Sequence, residues 1–412
     1  MKYITFVPLI GGMAIANYKA TGVKPECVLS YDVFQKNESN LKKYWPDVKW
    51  YVLDADKNDI VDFDVYPDFS NIDFVSSVCP CAGMSCLNTA TRSADNATNN
   101  WLYKVAEFTL SKIKPTVYWG ENAPGLYSAD NVKVLNTLRE YADKYGYGFT
   151  IYKTDTYLHG IPQHRIRTFF FFWKGGFCPY VSWHNHPSEK PFEEWILDKN
   201  VGVQTTCIKD VDPYKLYPEM RWVMDTRCNH SYSEYIKFFY NLIDTESSRN
   251  PYDYIKTNNL WEEYRNWLEK DPQKDTPMSD NGSRTPWYYI NYRWDKIKRG
   301  LGYFAPQPQV YKGATNAIIS KNMHWTLHPI EQRFLTTREI MALMGMPSDF
   351  ELISGNLQHV TQNVPVTTAQ NMTDEVIKFI NNELKMTTSN FIKQNNLSQK
   401  IDWEEQTSIR LF

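Results

Sequence analysis

The chain has 412 residues, of which 42% are hydrophobic and 22% charged, and this composition is typical of a soluble globular protein rather than of a disordered or membrane protein. The formal net charge of −2 argues against unspecific electrostatic adhesion to nucleic acid, although it is compatible with a local basic groove. Seven scattered cysteines favour reduced thiols over a secreted domain held by disulfides. Because "CPCAGMSC" lacks a second Cys/His pair, we expect no metal site.

The first residues, "MKYITFVPLIGGMAIANYKA", fit two different interpretations. Lys2, an apolar run and the small residues Ala14 and Ala16 resemble a secretory signal peptide. A short strand, a Gly11-Gly12 turn and a helix are instead typical of the first βα unit of a nucleotide-binding sheet. Reduced cysteines favour the second interpretation, so we expect a cytoplasmic protein without a signal peptide. The apolar run is too short to span a membrane.

From residue 1 to about 175, short strands alternate with helices. The predicted strands are "YITFVPLI", "CVLSYDV", "WYVLDA", "IDFVSSVC", "PTVYWGENA", "FTIYKTD" and "RTFFFFW", and the predicted helices are "GMAIANYKATG", "WLYKVAEFTLSKI" and "NVKVLNTLREYADKYG". This alternation predicts an α/β fold with a doubly wound, mostly parallel sheet. Ligands of such sheets bind at the carboxyl ends of the strands.

The rest of the chain has a different character. Residues 178–325 are rich in Pro, Asn, Trp and Tyr and predict a separate, irregular domain with helices at "SEYIKFFYNLI" and "NLWEEYRNWLEK". The Thr336 to Glu339 spacing fits a capping box before "TTREIMALMGM", and "TTAQNMTDEVIKFINNELK" predicts a further helix. We therefore divide the chain into 1–177, 178–325, a segment 326–385 that returns to the first domain, and a loosely held polar tail, 386–412.

Three predicted strand ends carry reactive side chains. Cys81 follows Pro80 in a Gly-containing loop, where a thiol is either a nucleophile or a small buried hydrophobe. Glu121 ends the strand "PTVYWGENA" and is either an acid/base group or a helix cap. Arg165 and Arg167 alternate along a strand and so share one face, where they require an anion or another polar partner.

In order, a Gly-Gly turn, "PCAGMS", "ENAPGL", "QHRIR", "RFLTTREIMALMGMPSDF" and "QNVPV" resemble the motifs of the DNA (cytosine-5) methyltransferases. The resemblance covers about 1–175 and 325–380 and leaves the middle unmatched, as for that family's variable target-recognition domain. It implies a Rossmann-like methyltransferase fold, S-adenosyl-L-methionine as cofactor and double-stranded DNA as partner. We expect a monomer.

The resemblance also implies roles for single residues. Cys81 matches the nucleophile, Glu121 the glutamate at the cytosine N3 edge, Arg165 the arginine that supports the ring, and Arg167 the second arginine of that motif. The cofactor-binding positions that it implies are Val7, Gly11, Gly12, Asp32, Asp54, Pro80 and Asn363. The chain departs from the family pattern at Leu9, which replaces a glycine, at Gln362, which replaces a glycine, and at Ala82. We therefore expect the cofactor site to differ more than the catalytic pair.

Contacts to DNA are predicted in two segments. Ser85 ends "PCAGMS", and Arg92 lies in the polar loop that follows, which is either a loop that closes over an extruded base or a plain surface loop. Arg293, Lys296, Lys298 and Arg299 lie among aromatic residues, a mixture that suits phosphate contacts but also fits a solvated charged turn. Two other functions stay open: an RNA (tRNA) cytosine-5 methyltransferase and a catalytically silent DNA-binding relative.

Overall fold

The structure is a computed structural model that describes residues 1–61, 66–80, 84, 97–206, 217–246, 249–272, 274–275, 282, 284–301, 307–320, 323, 325–353 and 357–403. The chain forms two compact units. The first unit contains residues 1–189 and 341–412, and the second contains residues 190–340. The first unit is therefore built from two separate stretches of chain.

Eleven strands are present in the described part of the chain. They are β1 (Tyr3–Phe6), β2 (Cys27–Tyr31), β3 (Trp50–Leu53), β4 (Phe74–Val78), β5 (Val117–Asn122), β6 (Tyr147–Asp155), β7 (Gln163–His164), β8 (Ile166–Lys174), β9 (Thr315–Asn316), β10 (Phe391–Asn395) and β11 (Lys400–Trp403). Nine of them form one sheet in the order β11-β10-β6-β8-β5-β4-β1-β2-β3. Only β8 and β11 run antiparallel to their neighbours, so the predicted mostly parallel sheet is confirmed.

The described residues also form thirteen α-helices. They are α1 (Gly12–Thr21), α2 (Gln35–Tyr44), α3 (Asn100–Phe108), α4 (Val132–Tyr145), α5 (Phe192–Trp195), α6 (Pro218–Arg227), α7 (Tyr232–Glu246), α8 (Pro251–Thr257), α9 (Trp261–Leu268), α10 (Pro286–Lys298), α11 (Thr337–Leu343), α12 (Leu357–Val360) and α13 (Val366–Ile380). A π-helical turn, Thr109–Ile113, extends α3. Helix α2 is absent from the sequence-based prediction because its residues, "QKNESNLKKY", are mostly polar.

Helices cover both faces of the sheet. Val75 of β4 belongs to a buried apolar cluster with residues of α3 and α4, such as Leu102 and Leu138. The next side chain along β4, Ser76, faces the opposite side and accepts a 2.7 Å hydrogen bond from Asn17 of α1. Thr373 of α13 in turn donates to Asn17 at 2.9 Å. Because both faces are covered, the middle of β8, from Phe169 to Trp173, is apolar on both sides, which explains the run "FFFFW".

The order of the strands defines the place where a ligand binds. Strands β1, β2 and β3 extend the sheet in one direction, and β4, β5 and β8 extend it in the other. The crevice at such a reversal, outside the carboxyl ends of the strands, is the usual ligand site of doubly wound sheets. In this chain the reversal falls between β1 and β4.

The second unit is more helical than the sequence suggested. Helices α5 to α10 lie entirely within it, and its buried cluster includes Trp222, Phe239, Tyr264 and Trp287. The predicted capping box at the start of α11 is present: the Thr336 amide donates to Glu339 at 2.8 Å, and the Glu339 amide donates to the Thr336 hydroxyl at 3.1 Å.

The polar C-terminal segment is not the loosely held tail expected from its composition. Strand β10 pairs in parallel with β6, and β11 pairs with β10, so residues up to 403 extend the sheet. Polarity was a poor guide because β10 is anchored by buried residues, Phe391 and Ile392, among polar neighbours.

No α-helix among the described residues is long and apolar enough to cross a membrane. Within the same residues, no group of three or more His, Cys, Asp or Glu side chains is arranged to hold a metal ion.

Glu38 provides a test of the packing of α2. Its side chain is buried, and burial raises its pKa to about 8 against the opposing effects of the Ser30 hydroxyl and the Lys42 ammonium group. Since an unfolded glutamate titrates near about 4.3, the folded protein binds a proton that the unfolded chain releases, and wild-type stability falls between about pH 5 and 8. Glu38→Gln should remove this loss and gain roughly 1 to 3 kcal/mol relative to wild type across that range.

Urea unfolding at about pH 5 and 8 measures this effect. Glu26→Gln, at an exposed position before β2, is the matched control and should follow the wild-type pH dependence. An identical pH dependence in Glu38→Gln and wild type would show that Glu38 is not held in a buried, protonated form.

Candidate active site

The turn after β1 has an unusual backbone. Val7, Leu9 and Gly11 all have positive φ angles, of 49°, 53° and 108°. A left-handed conformation is uncommon for residues other than glycine and is a true outlier for a β-branched valine. A hydrogen bond of 3.0 Å from the Gly11 amide to the Pro8 carbonyl closes the turn. The residues that replace the family pattern thus occupy a strained loop.

Gly12 opens α1 and contacts a distant part of the chain. Its amide donates a 3.0 Å hydrogen bond to Oδ1 of Asn363, which is buried. A Cβ atom at Gly12 would overlap the Asn363 amide and the Val364 carbonyl. Glycine is therefore required here by the close approach of the segment before α13, and the structure brings Gly12 and Asn363 together.

The two predicted acidic positions lie in different surroundings. Asp32 directly follows β2 and is exposed, with its Oδ1 accepting the Val33 amide at 2.8 Å. Asp54 directly follows β3 and accepts the amides of Asp56 and Lys57 at 2.8 and 3.0 Å, which lower its pKa. The Asp54 carboxylate therefore holds its own turn together.

An aromatic group beside Asp32 was not predicted from the sequence. The half-buried rings of Phe34 and Trp101 lie 4.9 Å apart, centroid to centroid, and Trp101 lies 5.0 Å from the buried ring of Tyr31. Val33, next to Asp32, is 56% exposed. No sequence signal links Trp101 to this edge because it is about 70 residues from Asp32.

The "PCAGMS" loop is described only in part. Cys81, Ser85 and Arg92 lie outside the described residues. Pro80, which precedes Cys81, is half-buried after β4. Met84 is buried, and its carbonyl lies so close to Gly125 that a Cβ atom there would overlap it. Gly125 belongs to "ENAPGL", so two of the predicted motifs are in contact.

The neighbouring Cys79 is clearly a structural thiol. It is 3% exposed, and burial raises its pKa to about 12. A protonated, buried thiol is a poor nucleophile.

Glu121 and Arg167 form a buried ion pair at the carboxyl end of β5. Arg167 Nε lies 2.8 Å from Glu121 Oε1, and the two side chains are 18% and 6% exposed. Burial raises the pKa of Glu121, and the positive charges of Arg167 and Arg165 partly oppose the rise. The carboxyl group is therefore protonated more readily than an exposed glutamate.

Arg165 is fully buried and lies at the start of β8. One of its Nη atoms donates to the carbonyls of Thr361 and Asn363 at 2.6 and 3.1 Å. Its backbone amide donates to Oδ1 of Asp155 at 2.7 Å. The structure thus places Arg165 within electrostatic reach of Glu121 and in direct contact with the segment that carries Asn363.

Asp155 is a second residue that sequence reasoning missed. Its carboxylate accepts the amides of Tyr157 and Arg165 and lies 2.9 Å from Nδ1 of His164. It therefore fixes the turn that precedes both arginines. An acidic residue at the end of β6 was a possible signal, but only the turn geometry shows its use.

The profile of the C-5 cytosine-specific DNA methylase family matches residues 1–378. The chain belongs to this family.

Individual relatives match shorter stretches of the chain. Type II methyltransferase M.BanI of Aneurinibacillus aneurinilyticus is 26% identical over 172 residues, or 41% of this chain and 37% of that relative. Type II methyltransferase M.AgeI of Thalassovita gelatinovora is 31% identical over 100 residues, or 24% of this chain and 23% of that relative. The matches thus span well under half of either relative.

The fold of the chain also resembles a solved structure. A crystal structure from E. coli, described as a DNA modification methyltransferase encoded within a prophage, superposes with a TM-score of 0.52 at 13% identity. The match covers 93% of this chain and 100% of the other. Together with the sheet order, this likeness confirms a Rossmann-like methyltransferase fold.

The other residues predicted to contact DNA lie in the second unit. Lys298 and Arg299 are exposed at the end of α10, and Lys296 is half-buried with its Nζ 5.4 Å from the centre of the exposed Tyr292 ring. Arg293 instead points inward. It is 4% exposed and forms a buried ion pair with Glu219, because position 293 falls on the apolar side of the helix. Arg293 is therefore excluded from the surface that α10 presents.

A substitution at Gly12 tests its close contact with Asn363 and Val364. Gly12→Ala should destabilise the protein by roughly 2 kcal/mol or more, since the added methyl group overlaps buried neighbours. Gly22→Ala is the matched control: φ is 72° and the space around it is open, so only backbone strain of about 1 kcal/mol is expected. Urea unfolding compares the two variants, and equal losses would contradict the contact at Gly12.

Proposed function

We propose that this protein transfers a methyl group from S-adenosyl-L-methionine to C5 of a cytosine in duplex DNA. The observation that supports this most directly is the buried Glu121, paired with Arg167 and close to Arg165, at the carboxyl end of a central strand. Membership of the C-5 cytosine-specific DNA methylase family gives the arrangement its chemical meaning.

The proposed chemistry begins with Cys81. C5 of cytosine is too weak a nucleophile to be methylated directly, and addition of the Cys81 thiolate to C6 makes C5 enamine-like. After C5 is methylated, loss of its proton expels the thiolate and restores the ring. The covalent step thereby replaces one high barrier by two lower ones.

Glu121 and Arg165 are proposed to stabilise this addition. Negative charge moves to N3 and O2 as the bond to C6 forms, and a protonated Glu121 donates a hydrogen bond to N3. Burial raises the pKa of Glu121, which favours the protonated form that this role requires. Arg167 orients the carboxyl group through the 2.8 Å contact between its Nε and Glu121 Oε1, and Arg165 contributes positive charge nearby.

We assign cofactor binding to the carboxyl ends of β1 and β4, where the strand order reverses. We assign to its binding the turn from Val7 to Gly12, the exposed carboxylate of Asp32 for ribose hydroxyls, Pro80, and an apolar wall from Val33, Phe34 and Trp101. Asp54 is assigned a supporting role, since its carboxylate binds amides of its own turn. When bound, S-adenosyl-L-methionine supplies the electrophilic methyl group.

Duplex DNA is the proposed partner, and the target base must leave the helix because C5 and C6 are inaccessible in a stacked duplex. Lys296, Lys298 and Arg299 of the second unit are proposed phosphate contacts, together with Ser85 and Arg92. An RNA substrate is the second candidate. Methylation assays with matched duplex DNA and tRNA, each in excess, distinguish the two.

Cys81→Ser tests the covalent mechanism. The variant should lose methyl transfer to DNA, by about a thousandfold or more, because a serine hydroxyl is a far weaker nucleophile than a thiolate. Transfer of labelled methyl groups to duplex DNA measures this effect. Cys228→Ser, at a half-buried cysteine of the second unit, is the control and should keep wild-type activity.

Unimpaired transfer by Cys81→Ser would refute the mechanism. A wild-type protein that binds DNA without any transfer would instead identify a catalytically silent relative. Bisulfite sequencing of DNA from cells that express the protein then shows both the activity and the methylated sequence.

The basic end of α10 is tested by salt dependence. Each of Lys298→Ala and Arg299→Ala should weaken DNA binding and reduce the slope of log K against log salt concentration by about one, since each removes one phosphate contact. Lys237→Ala, an exposed lysine of α7 paired with Glu234, is the control. Unchanged slopes in both α10 variants would place the DNA elsewhere.

A further inference from the structure

The start of α1 is capped from outside the helix. Its N-cap residue, Gly11, has no side chain that can accept a hydrogen bond from the first turn. The acceptor is instead Oδ1 of Asn363, which lies 351 residues away and binds the Gly12 amide at 3.0 Å. The first turn of α1, which follows the strained loop, therefore depends on the segment before α13.

Both the oxygen and the nitrogen of the Asn363 side-chain amide contact other residues of the protein. Oδ1 accepts from Gly12, and Nδ2 lies 3.3 Å from the Met346 sulfur, a weak acceptor. The residue is 1% exposed. This geometry favours an indirect role for Asn363 over a direct contact with the methionine part of the cofactor.

Arg165 holds the same segment from the other side. Its guanidinium group donates to the carbonyls of Thr361 and Asn363, while its charge acts on Glu121. The turn after β1 is thus connected by hydrogen bonds through Asn363 to Arg165, whose positive charge acts on Glu121. Asn363, Arg165 and Glu121 are each 5% exposed or less, and Gly12 is also buried.

We propose that Asn363 is a positioning residue: it holds the cofactor turn through the Gly12 amide, and Arg165 fixes it in place from the catalytic side. The proposal rests on the function proposed above. The hydrogen bond from the Gly12 amide requires only an acceptor at position 363, which an aspartate side chain also provides. A carboxylate at a helix N-terminus is, in addition, electrostatically favourable.

A pair of variants separates an indirect role from a direct one. Asn363→Ala should weaken S-adenosyl-L-methionine binding about tenfold, because it removes the hydrogen bond to Gly12. Asn363→Asp should bind within about threefold of wild type, because the acceptor remains. Isothermal titration calorimetry measures both. If Asn363→Asp binds as weakly as Asn363→Ala, the amide N–H contacts the cofactor and the proposal is wrong.

Hydrogen exchange of the free protein tests the positioning role without the cofactor. Peptides covering residues 7–15 should exchange faster in Asn363→Ala than in wild type, and at the wild-type rate in Asn363→Asp. Asn371→Ala is the control, since that amide of α13 contacts His159 instead. Its exchange over residues 7–15 should match wild type.

The positioning role and the proposed function are refuted by different results. Unchanged exchange over residues 7–15 in Asn363→Ala would overturn the positioning role whatever the cofactor affinity. A wild-type protein that shows no binding of S-adenosyl-L-methionine would instead refute the proposed function. A third variant, Arg165→Lys, should also raise exchange over residues 7–15, because lysine cannot reproduce the paired donation to both carbonyls.

Discussion

Burial of the Arg165 guanidinium group is the constraint on which the rest of the site depends. A buried cation is costly unless its N–H donors find acceptors and its charge is balanced, and here two backbone carbonyls and the electrostatic influence of Glu121 supply part of that compensation. Those carbonyls belong to the segment before α13, so the arginine cannot be satisfied unless this segment returns to the sheet. Asp155 adds the remaining constraint by fixing the backbone of Arg165. The ends of β5, β6 and β8 and a distant loop are thereby held in one arrangement.

The strained turn after β1 is joined to Arg165 through Asn363. Val7 and Leu9 adopt backbone angles that suit glycine, which costs free energy that other contacts must offset. Leu9 packs against the central apolar cluster, and Leu41 of α2 fills the space in front of Gly11. A divergent turn is thus retained by apolar packing on one side and by the Asn363 cap on the other. Loss of a glycine from the motif does not require loss of the turn.

The alternation of strands and helices was predictable because most strands before residue 175 are short, largely apolar runs between turns. The same pattern located Glu121 and both arginines at the edge of the sheet. The prediction missed helix α2 because its residues are mostly polar. It missed β10 because only two buried apolar residues anchor that strand among polar neighbours. The partners of the site residues were beyond sequence reasoning. The motif "QNVPV" does not indicate that Asn363 contacts Gly12. The aromatic and basic residues along α10 likewise do not indicate that Arg293 points inward towards Glu219.

The split of the first unit has a consequence for biosynthesis. Residues 190–340 are translated between the two stretches that form the sheet-containing unit. When the ribosome has completed β8, the edge of β6 still lacks β10, and Gly12 and Arg165 still lack their partners around residue 363. The nascent first stretch therefore carries an open strand edge and an uncapped helix until nearly the whole chain has emerged. The contacts that join Gly12 and Arg165 to the segment around residue 363 can therefore form only after residues 190–340 have been synthesised.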